Sequence, residues 1–217
     1  MTQIVIVYFS QFKGATERLA SAIASGAMAV PETKTMLIRV EDTANHWAEL
    51  DAADAIVFGS PTYMGSIAAG FKSFVEQLIG EIWLQRIWVN KVASGFTVSA
   101  GRSGDKLNCL QQTVVFAAQM VMLWIPMRIT GGHYSSTGSE DNLNRLARYL
   151  GVMAQANIDE PLDLAPPSSD IRTAELHDNH IANVTRQFAQ GQRALPATIP
   201  ILERLKIPML CSKVWQS

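Results

Sequence analysis

Residues 54–63 read DAIVFGSPTY, and this stretch decides the fold. The run Ala55–Gly59 is short, apolar and rich in β-branched and aromatic side chains, which is typical of a strand buried on both faces. A proline-fixed polar turn, 60–65, follows it directly. In open parallel sheets, ligands bind outside the carboxyl ends of the strands. The stretch therefore predicts a buried parallel strand with a ligand-binding turn at its end.

Similar short apolar runs occur on both sides of this strand and alternate with segments of helical period. This alternation predicts an α/β fold with a doubly wound parallel sheet. The predicted strands are Ile4–Phe9, Thr35–Val40, Ala55–Gly59, Val92–Ser99 and Val121–Pro126. The predicted helices contain Leu19, Ile23 and Ala27; Phe71, Phe74, Val75 and Leu78; Leu143, Leu146, Ala147, Leu150 and Met153; and, after Asp170 as cap, Ala174, His177, Ile181, Val184 and Phe188.

The chain length fits one domain with a short appendage. At 217 residues, a single hydrophobic core is sufficient. We predict one domain over residues 1–190. Residues 191–217 form a proline-punctuated, partly apolar tail, which we expect to dock on its own domain or on a neighbouring subunit.

Composition and charge exclude several classes of function. The formal net charge is -1, so no broad positive field attracts nucleic acid. The longest apolar run, 114–127, is interrupted by Gln119 and is shorter than a membrane span. The amino-terminal residues lack the basic region of a signal peptide, and the two cysteines form no CxxC pair. We therefore expect a cytoplasmic protein without a membrane span.

The turn after the first predicted strand contains the elements of a phosphate site. Residues 10–16 read SQFKGAT and run directly into a helix. Backbone N–H groups at a helix start, together with the hydroxyls of Ser10 and Thr16, can hold a phosphate dianion, and Lys13 can add a charge. The chain has neither a GxxxxGK[ST] nor a GxGxxG motif, which argues against a nucleoside triphosphate or a Rossmann dinucleotide.

Two further turns suit a planar ring. Tyr63 and Met64, after the third strand, offer an aromatic and a polarizable wall. Residues 99–104, SAGRSG, form a small-residue turn that a ligand can approach closely. A phosphate site with two such turns predicts a mononucleotide with a large planar head.

With these motifs the sequence resembles the flavodoxin-like NAD(P)H:quinone oxidoreductases of the tryptophan-repressor-binding-protein (WrbA) type, which are related to the NADPH-dependent FMN reductases. The resemblance rests on residues 7–10 with Gly14, on 54–63, on 90–94 and on Gly131-Gly132, and it covers about residues 2–156. It implies a flavodoxin-like, doubly wound five-stranded parallel sheet of strand order 2-1-3-4-5 that binds FMN.

The resemblance also implies which residues contact the cofactor. Residues 10–16 would hold the FMN phosphate, 61–65 would flank the isoalloxazine, and the turn from Ser99 would follow its pyrimidine side. Trp83 would add an aromatic to the cleft, and His133 would lie near the ring. There His133 could hydrogen-bond a quinone oxygen or donate a proton to it. The cofactor-binding residues so predicted are Ser10, Gln11, Phe12, Lys13, Gly14, Ala15, Thr16, Pro61, Thr62, Tyr63, Met64, Gly65, Ser99, Ala100, Gly101, Arg102 and Gly104.

The implied function is two-electron transfer from NAD(P)H to a quinone-type acceptor, without a metal. A first alternative is a flavodoxin-type carrier of single electrons, and a second is a non-catalytic flavodoxin-like protein. The near-neutral charge disfavours the carrier, which usually needs an acidic docking face. We expect a homodimer or homotetramer, because Trp83, Trp88 and the tail supply apolar surface.

Overall fold

The structure is a computed structural model that describes residues 1–11 and 14–194. Its strands are β1 (Thr2–Tyr8), β2 (Thr33–Arg39), β3 (Ala55–Tyr63), β4 (Ser66–Ile67), β5 (Val92–Ser99), β6 (Leu123–Trp124) and β7 (Val152–Gln155). Its α-helices are α1 (Ala15–Met28), α2 (Trp47–Ala52), α3 (Ala69–Gln77), α4 (Glu81–Leu84), α5 (Lys106–Gln119) and α6 (Ser168–Ala194), and a 3₁₀ helix spans Val40–Asn45.

The sheet has the predicted strand order. It runs β2-β1-β3-β5-β6 with parallel pairing throughout, and the short β4 pairs antiparallel with the end of β3. Since β5 is the fourth and β6 the fifth strand of the doubly wound frame, the order 2-1-3-4-5 is confirmed. The third strand is longer than predicted, because Pro61 still pairs with Val98 and the strand ends at Tyr63.

Alternate residues of each central strand face opposite layers. Ile4 and Ile6 pack against α1 and α6, while Val5 and Val7 pack against the layer of Phe71 and Phe116. This two-sided burial explains why the strands are continuous apolar runs. The helical spacing of the predicted crossover helices is likewise confirmed in α1 and α3.

The fifth strand is split, which the sequence analysis missed. β6 pairs only with Val92 and Ala93, whereas β7 pairs with residues 96–99 of the same strand β5. The chain between them, residues 125–151, leaves the sheet edge and returns to it; we call this segment the insertion. The prediction of a strand over Val121–Pro126 was therefore too long.

The predicted helix over Leu143–Met153 is wrong. This stretch consists of turns that lead into β7, and Asn144 and Ala147 have φ of 45° and 49°, which an α-helix does not allow. Long-range partners fix these turns: the Asn144 backbone N–H donates to the hydroxyl of Thr173 over 2.8 Å. The helical spacing instead reflects packing of Leu146 and Met153 in one small apolar cluster.

The ends of the chain modify two further predictions. α6 begins at Ser168 rather than after Asp170, and it continues to Ala194 across the predicted boundary at residue 190. Residues 195–217 of the predicted tail lie outside the described residues. Within the part that is described, none of the helices has the length and apolarity needed to cross a membrane.

Candidate active site at the carboxyl ends of the strands

A cavity of about 470 Å³ lies at the carboxyl edge of the sheet. It is bounded by the chain after β1, by the end of β3, by the end of β5 and by the chain after β7. The lining residues are Gln11, Ala15, Thr16, Pro61, Thr62, Tyr63, Val98, Ser99, Ala100, Ala156, Asn157 and Ile158. The structure thus brings together the three turns that the sequence analysis selected.

The turn after β1 presents the start of α1 to this cavity. Gly14 precedes the first helical residue with φ 76°, a conformation that glycine adopts without strain. The N–H groups of the first turn of any α-helix have no acceptor within the helix. Ser10 is 4% exposed, and its hydroxyl has no hydrogen-bond partner among the described residues. Phe12 and Lys13, also predicted in this site, lie outside the described residues.

The end of β3 supplies one wall. Thr62 is buried, and its hydroxyl lies 2.7 Å from that of Thr97 on β5, which fixes the strand ends to each other. Tyr63 lines the cavity, and burial raises the pKa of its phenol. Met64 is instead fully exposed at the tip of the β3–β4 turn, and neither it nor Gly65 lines the cavity. Met64, predicted as a ring wall, therefore adds no surface to this cavity.

The turn after β5 lines the cavity only through its first residues, Ser99 and Ala100. The remaining predicted residues, Gly101, Arg102 and Gly104, lie farther along the turn and are not among the lining residues. Gly104 has φ 53°, and a Cβ there would lie 2.2 Å from the Ser99 hydroxyl. The close fold of this turn therefore requires glycine.

The sequence analysis missed Lys106 beneath this turn. Lys106 is the first residue of α5 and is 0% exposed. Its ammonium donates to the Ser99 hydroxyl over 2.9 Å and to the Gly101 carbonyl over 2.6 Å. A cation at the start of a helix interacts unfavourably with the helix dipole. A lysine at the first position of a helix is therefore the sequence signal that could have singled out Lys106.

The sequence analysis also missed the fourth wall, residues 156–158. The Ala156 N–H donates to the Ser99 carbonyl over 3.0 Å, which extends the β5–β7 pairing to the cavity. A Cβ on Gly151 would lie 2.3 Å from the Gly95 carbonyl, so glycine is needed where β7 approaches β5. In the sequence, Gly151 followed by the short apolar run 152–154 is the signal that could have predicted β7.

His133 and Arg102 meet at the insertion, outside the residues that line the cavity. The Nδ1 atom of His133 lies 3.3 Å from a carboxylate oxygen of Glu140, and Arg102 pairs with the same carboxylate. Burial alone would raise the pKa of Glu140, but hydrogen bonds from Arg102 and Arg145 hold it below its usual value. Arg102 therefore points toward the insertion in this structure.

Two of the predicted aromatic roles also need correction. Trp88 is 0% exposed, and its indole N–H donates to Asp51 over 2.8 Å, so it belongs to the core and adds no interface surface. Trp83 is 37% exposed and lies with Leu78, Ile79 and Met120 on the α3–α5 face, away from the cavity. Cys109 is buried, and desolvation is the main cause that raises the pKa of its thiol, which is typical of an unreactive cysteine.

A larger, open cavity of about 990 Å³ lies between α1, α6 and the insertion. It contains none of the predicted site residues and none of the sheet's strand ends. The smaller cavity combines a helix start with an aromatic wall, and the turn that bounds it holds the unpaired hydroxyl of Ser10, although Ser10 and Gly14 are not lining residues. This chemistry makes the smaller cavity the candidate active site.

Comparisons with known proteins agree with this fold. Residues 30–133 match the family model for NADPH-dependent FMN reductase. The chain is 34% identical to flavodoxin FldP of Pseudomonas aeruginosa over 87% of its length and 99% of that protein. It is 28% identical to NAD(P)H dehydrogenase (quinone) 3 of Rhizobium meliloti, covering 90% and 97% of the two chains.

A solved structure gives the same assignment. The flavodoxin, WrbA-like protein from Agrobacterium tumefaciens superposes with a TM-score of 0.65 at 34% identity, over 87% of this chain and 99% of that one. A relative at this identity, matched over nearly its whole length, establishes the family. This chain belongs to the flavodoxin-like, WrbA-type family of FMN-dependent oxidoreductases.

Proposed function

We propose that this protein transfers two electrons from NAD(P)H to a quinone-type acceptor at the cavity formed by the strand ends. In this proposal residues 10–16 hold the FMN phosphate, residues 61–63 and 156–158 flank the ring, and Ser99 and Ala100 follow its polar edge. The observation that carries the proposal is that one cavity joins the start of α1 and the aromatic Tyr63. The buried, unpaired hydroxyl of Ser10 lies in the same turn, next to the lining residue Gln11.

The residues present fit the phosphate. A buried hydroxyl without a partner costs free energy unless a ligand completes its hydrogen bonding, and Ser10 is such a hydroxyl. The start of α1 favours a dianion through its N–H groups and its dipole. The Glu17 carboxylate is paired with Arg39 over 3.2 Å, so an opposing cation balances the one acidic side chain in the first turn of α1.

The walls fit a planar ring. Pro61, Tyr63, Val98 and Ile158 supply apolar surface, while the Thr62 hydroxyl and the backbone around Ser99 supply polar groups. Bound FMN would accept and donate the hydride. The protein therefore needs only to orient the reactants and exclude water. Tyr63 is placed to stack against a nicotinamide or a quinone that occupies the same face in turn.

His133, the proposed proton donor for the quinone, lies on the insertion. His133 pairs with Glu140 and is not a lining residue, so its proposed role requires the insertion to approach the acceptor. The variant His133→Gln tests this role, because loss of a proton donor lowers a rate by about 100-fold or more. Quinone reduction would then slow, while reduction of the flavin by NAD(P)H would not.

Anaerobic half-reactions test the proposed function. The purified protein reconstituted with FMN is mixed with NADH or NADPH, and the visible flavin absorbance is followed; a quinone is then added by rapid mixing. We expect bleaching by one or both nucleotides and recovery of the absorbance by the quinone. If FMN binds and neither nucleotide bleaches it, the proposed reaction is wrong. If FMN does not bind at all, the non-catalytic alternative holds.

The similarity to a protein named flavodoxin supports a second candidate, a carrier of single electrons. The net charge of -1 disfavours it, since docking by charge needs a strongly acidic face. Electrochemical titration separates the two functions. A two-electron enzyme takes up both electrons in one wave, whereas a carrier shows two separated one-electron waves.

We also propose a homodimer or homotetramer located in the cytoplasm. The fully exposed Met64 at the β3–β4 turn and the half-exposed Trp83 support subunit contacts, because large apolar side chains are costly to leave in water. Light scattering on the purified protein measures the mass, and a monomer at all concentrations would contradict the assembly. Cell fractionation tests the location.

A further inference from the structure

Lys106 is a buried cation that holds the turn next to the proposed ring site. Its ammonium donates to the Ser99 hydroxyl and to the Gly101 carbonyl, and the Ser99 hydroxyl in turn donates to the Gly101 carbonyl over 3.1 Å. Ser99 lines the cavity, whereas Lys106 does not. Lys106 therefore acts on the cavity through Ser99 and through its charge.

The surroundings of Lys106 add positive charge. Arg145 and Arg148 of the insertion lie close enough to lower its proton affinity, and Asp170 of α6 acts in the opposite direction. Asp170 is itself engaged by Arg145, which it meets with both carboxylate oxygens over 2.8 and 2.9 Å. Lys106 thus lies in a cluster of three cations against one buried carboxylate, with Glu140 at the exposed rim.

We propose that Lys106 is the positioning residue that makes this cavity favour the reduced cofactor over the oxidised one. The inference rests on the proposed function, because it requires FMN at the strand ends. When a hydride moves from NAD(P)H to the flavin, two electrons and one proton arrive and NAD(P)⁺ leaves. The bound cofactor then carries one more negative charge than before, and Lys106 keeps its own proton.

Two physical effects of Lys106 act in the same direction. The buried charge interacts with a new negative charge through a medium of low dielectric, where such attraction is strong. The two hydrogen bonds also fix the turn before the reaction, so its N–H groups need no reorganisation when the charge appears. The cluster holds more positive than negative charge, which is costly in the free protein, and the reduced cofactor would relieve that cost.

The pH dependence of the cluster gives an independent signature. Burial, and next the charge of Arg148, lower the pKa of Lys106 to about 8. Below pH 8 the ammonium is charged in both redox states. Above pH 8 it is neutral beside the oxidised cofactor, and reduction of the cofactor draws a proton onto it. Reduction then consumes one more proton per two electrons than at lower pH.

The test compares Lys106→Met with Lys72→Met, in which an exposed lysine of α3 is replaced by the same residue. The midpoint potential of bound FMN and its dissociation constants in both redox states are measured at pH 7. We expect Lys106→Met to weaken binding of reduced FMN by about tenfold or more relative to oxidised FMN. That ratio corresponds to a potential lower by about 30 mV for two electrons. The Lys72→Met control keeps the potential of the wild type.

Equal weakening of both redox states would show that Lys106 is only structural, and it would overturn the inference. Lys106→Arg, which keeps the charge, is expected to recover part of the potential. If Lys106→Met does not fold, the midpoint potential of FMN bound to the wild type, measured between pH 7 and 9.5, tests the inference instead. Its slope should steepen from about 30 to about 59 mV per pH unit near pH 8, and a constant slope would overturn the inference.

This result is distinct from failure of the proposed function. If the wild type does not bind FMN, or if NAD(P)H does not reduce it, the proposed function fails first. If the wild type binds FMN and is reduced, but Lys106→Met leaves the ratio of affinities unchanged, only the role of Lys106 is wrong.

Discussion

The carboxyl edge of the sheet and the middle of α6 both bury polar side chains, but they differ in what satisfies them. At the edge, Lys106 has two short hydrogen bonds, and the unpaired Ser10 hydroxyl lies in the turn next to Gln11, which lines the cavity. In α6, Asp178 is 0% exposed and neither carboxylate oxygen has a partner among the described residues. An unpaired polar group near a cavity can form a hydrogen bond to a ligand. An unpaired carboxyl group in the core is instead stable only in its protonated, neutral form.

The neighbour of Asp178 shows the same contrast within one helix. The Ser94 hydroxyl donates to the Ile125 carbonyl over 2.9 Å, so it accepts a hydrogen bond from the Nε2–H of His177 over 3.0 Å. Burial, and next the charge of His180, lower the pKa of His177 to about 3, and the ring stays neutral. The core of α6 therefore carries neutral polar groups, and the edge carries charged ones.

The largest expected effect concerns the residue that links the two regions. Asp170 in the first turn of α6 pairs with Arg145 and accepts the N–H of Gln155 at the end of β7. Asp170→Asn leaves the Arg145 guanidinium without its buried charge partner, so that only the exposed carboxylate of Glu140 remains. We expect a loss of about 3–5 kcal/mol in the free energy of unfolding, measured by denaturant titration. A loss below about 1 kcal/mol would show that solvent, and not Asp170, satisfies Arg145.

The next effect separates two buried serines. Ser10→Ala removes a hydroxyl that has no partner, so the stability of the FMN-free protein should not fall. FMN should bind more weakly by about 1.5–3 kcal/mol, the size of a hydrogen bond to a charged group. The matched control, Ser94→Ala, removes a satisfied hydroxyl and should lower stability with little change in FMN affinity. Calorimetry of FMN binding and denaturant titration of both variants give the two quantities.

A stability loss in Ser10→Ala without a loss of FMN affinity would reverse the comparison. The Ser10 hydroxyl would then be a structural group, and the phosphate would be held by backbone N–H groups alone.

The third prediction concerns the charge of Asp178. Burial raises the pKa of its carboxyl well above the usual value. Above about pH 4 the unfolded chain releases this proton, while the folded protein keeps it. Stability therefore falls as pH rises through this window, by up to about 1.4 kcal/mol per pH unit. Asp178→Asn removes that loss, so its advantage over the wild type should grow from pH 5 to pH 8.

His177 changes the stability with the opposite sign. Because it is present in both Asp178→Asn and the wild type, its contribution cancels in the difference between them. Its folded pKa is lower than in the unfolded chain, so its contribution is present above about pH 6.5 and is lost as pH falls toward 3. The exposed Asp163→Asn serves as a control that should leave the pH profile unchanged. A constant difference between Asp178→Asn and the wild type at all pH values would mean that Asp178 is ionised in the fold.

How much the sequence predicts differs between these regions as well. The parallel sheet and the three turns follow from local patterns: apolar runs, a proline and small-residue turns. The lining residues predicted in these turns are Gln11, Ala15, Thr16, Pro61, Thr62, Tyr63, Ser99 and Ala100. The strand order followed only from the family resemblance. The insertion does not, because Asn144 is held by Thr173 and Arg145 by Asp170, both more than 20 residues away. Helical spacing of Leu143–Met153 could not reveal those partners.

The smallest expected effect uses the second carboxylate on Arg145. Glu140 pairs with the same guanidinium, but its side chain is 51% exposed, compared with 3% for Asp170. Water replaces most of what an exposed partner supplies, so Glu140→Gln should cost less than about 1 kcal/mol. Raised salt should reduce that cost further, and it should leave the effect of Asp170→Asn nearly unchanged, since buried pairs are screened much less. Denaturant titration of both variants at two ionic strengths makes the comparison. Equal costs would mean that Arg145 depends on its number of partners rather than on their burial.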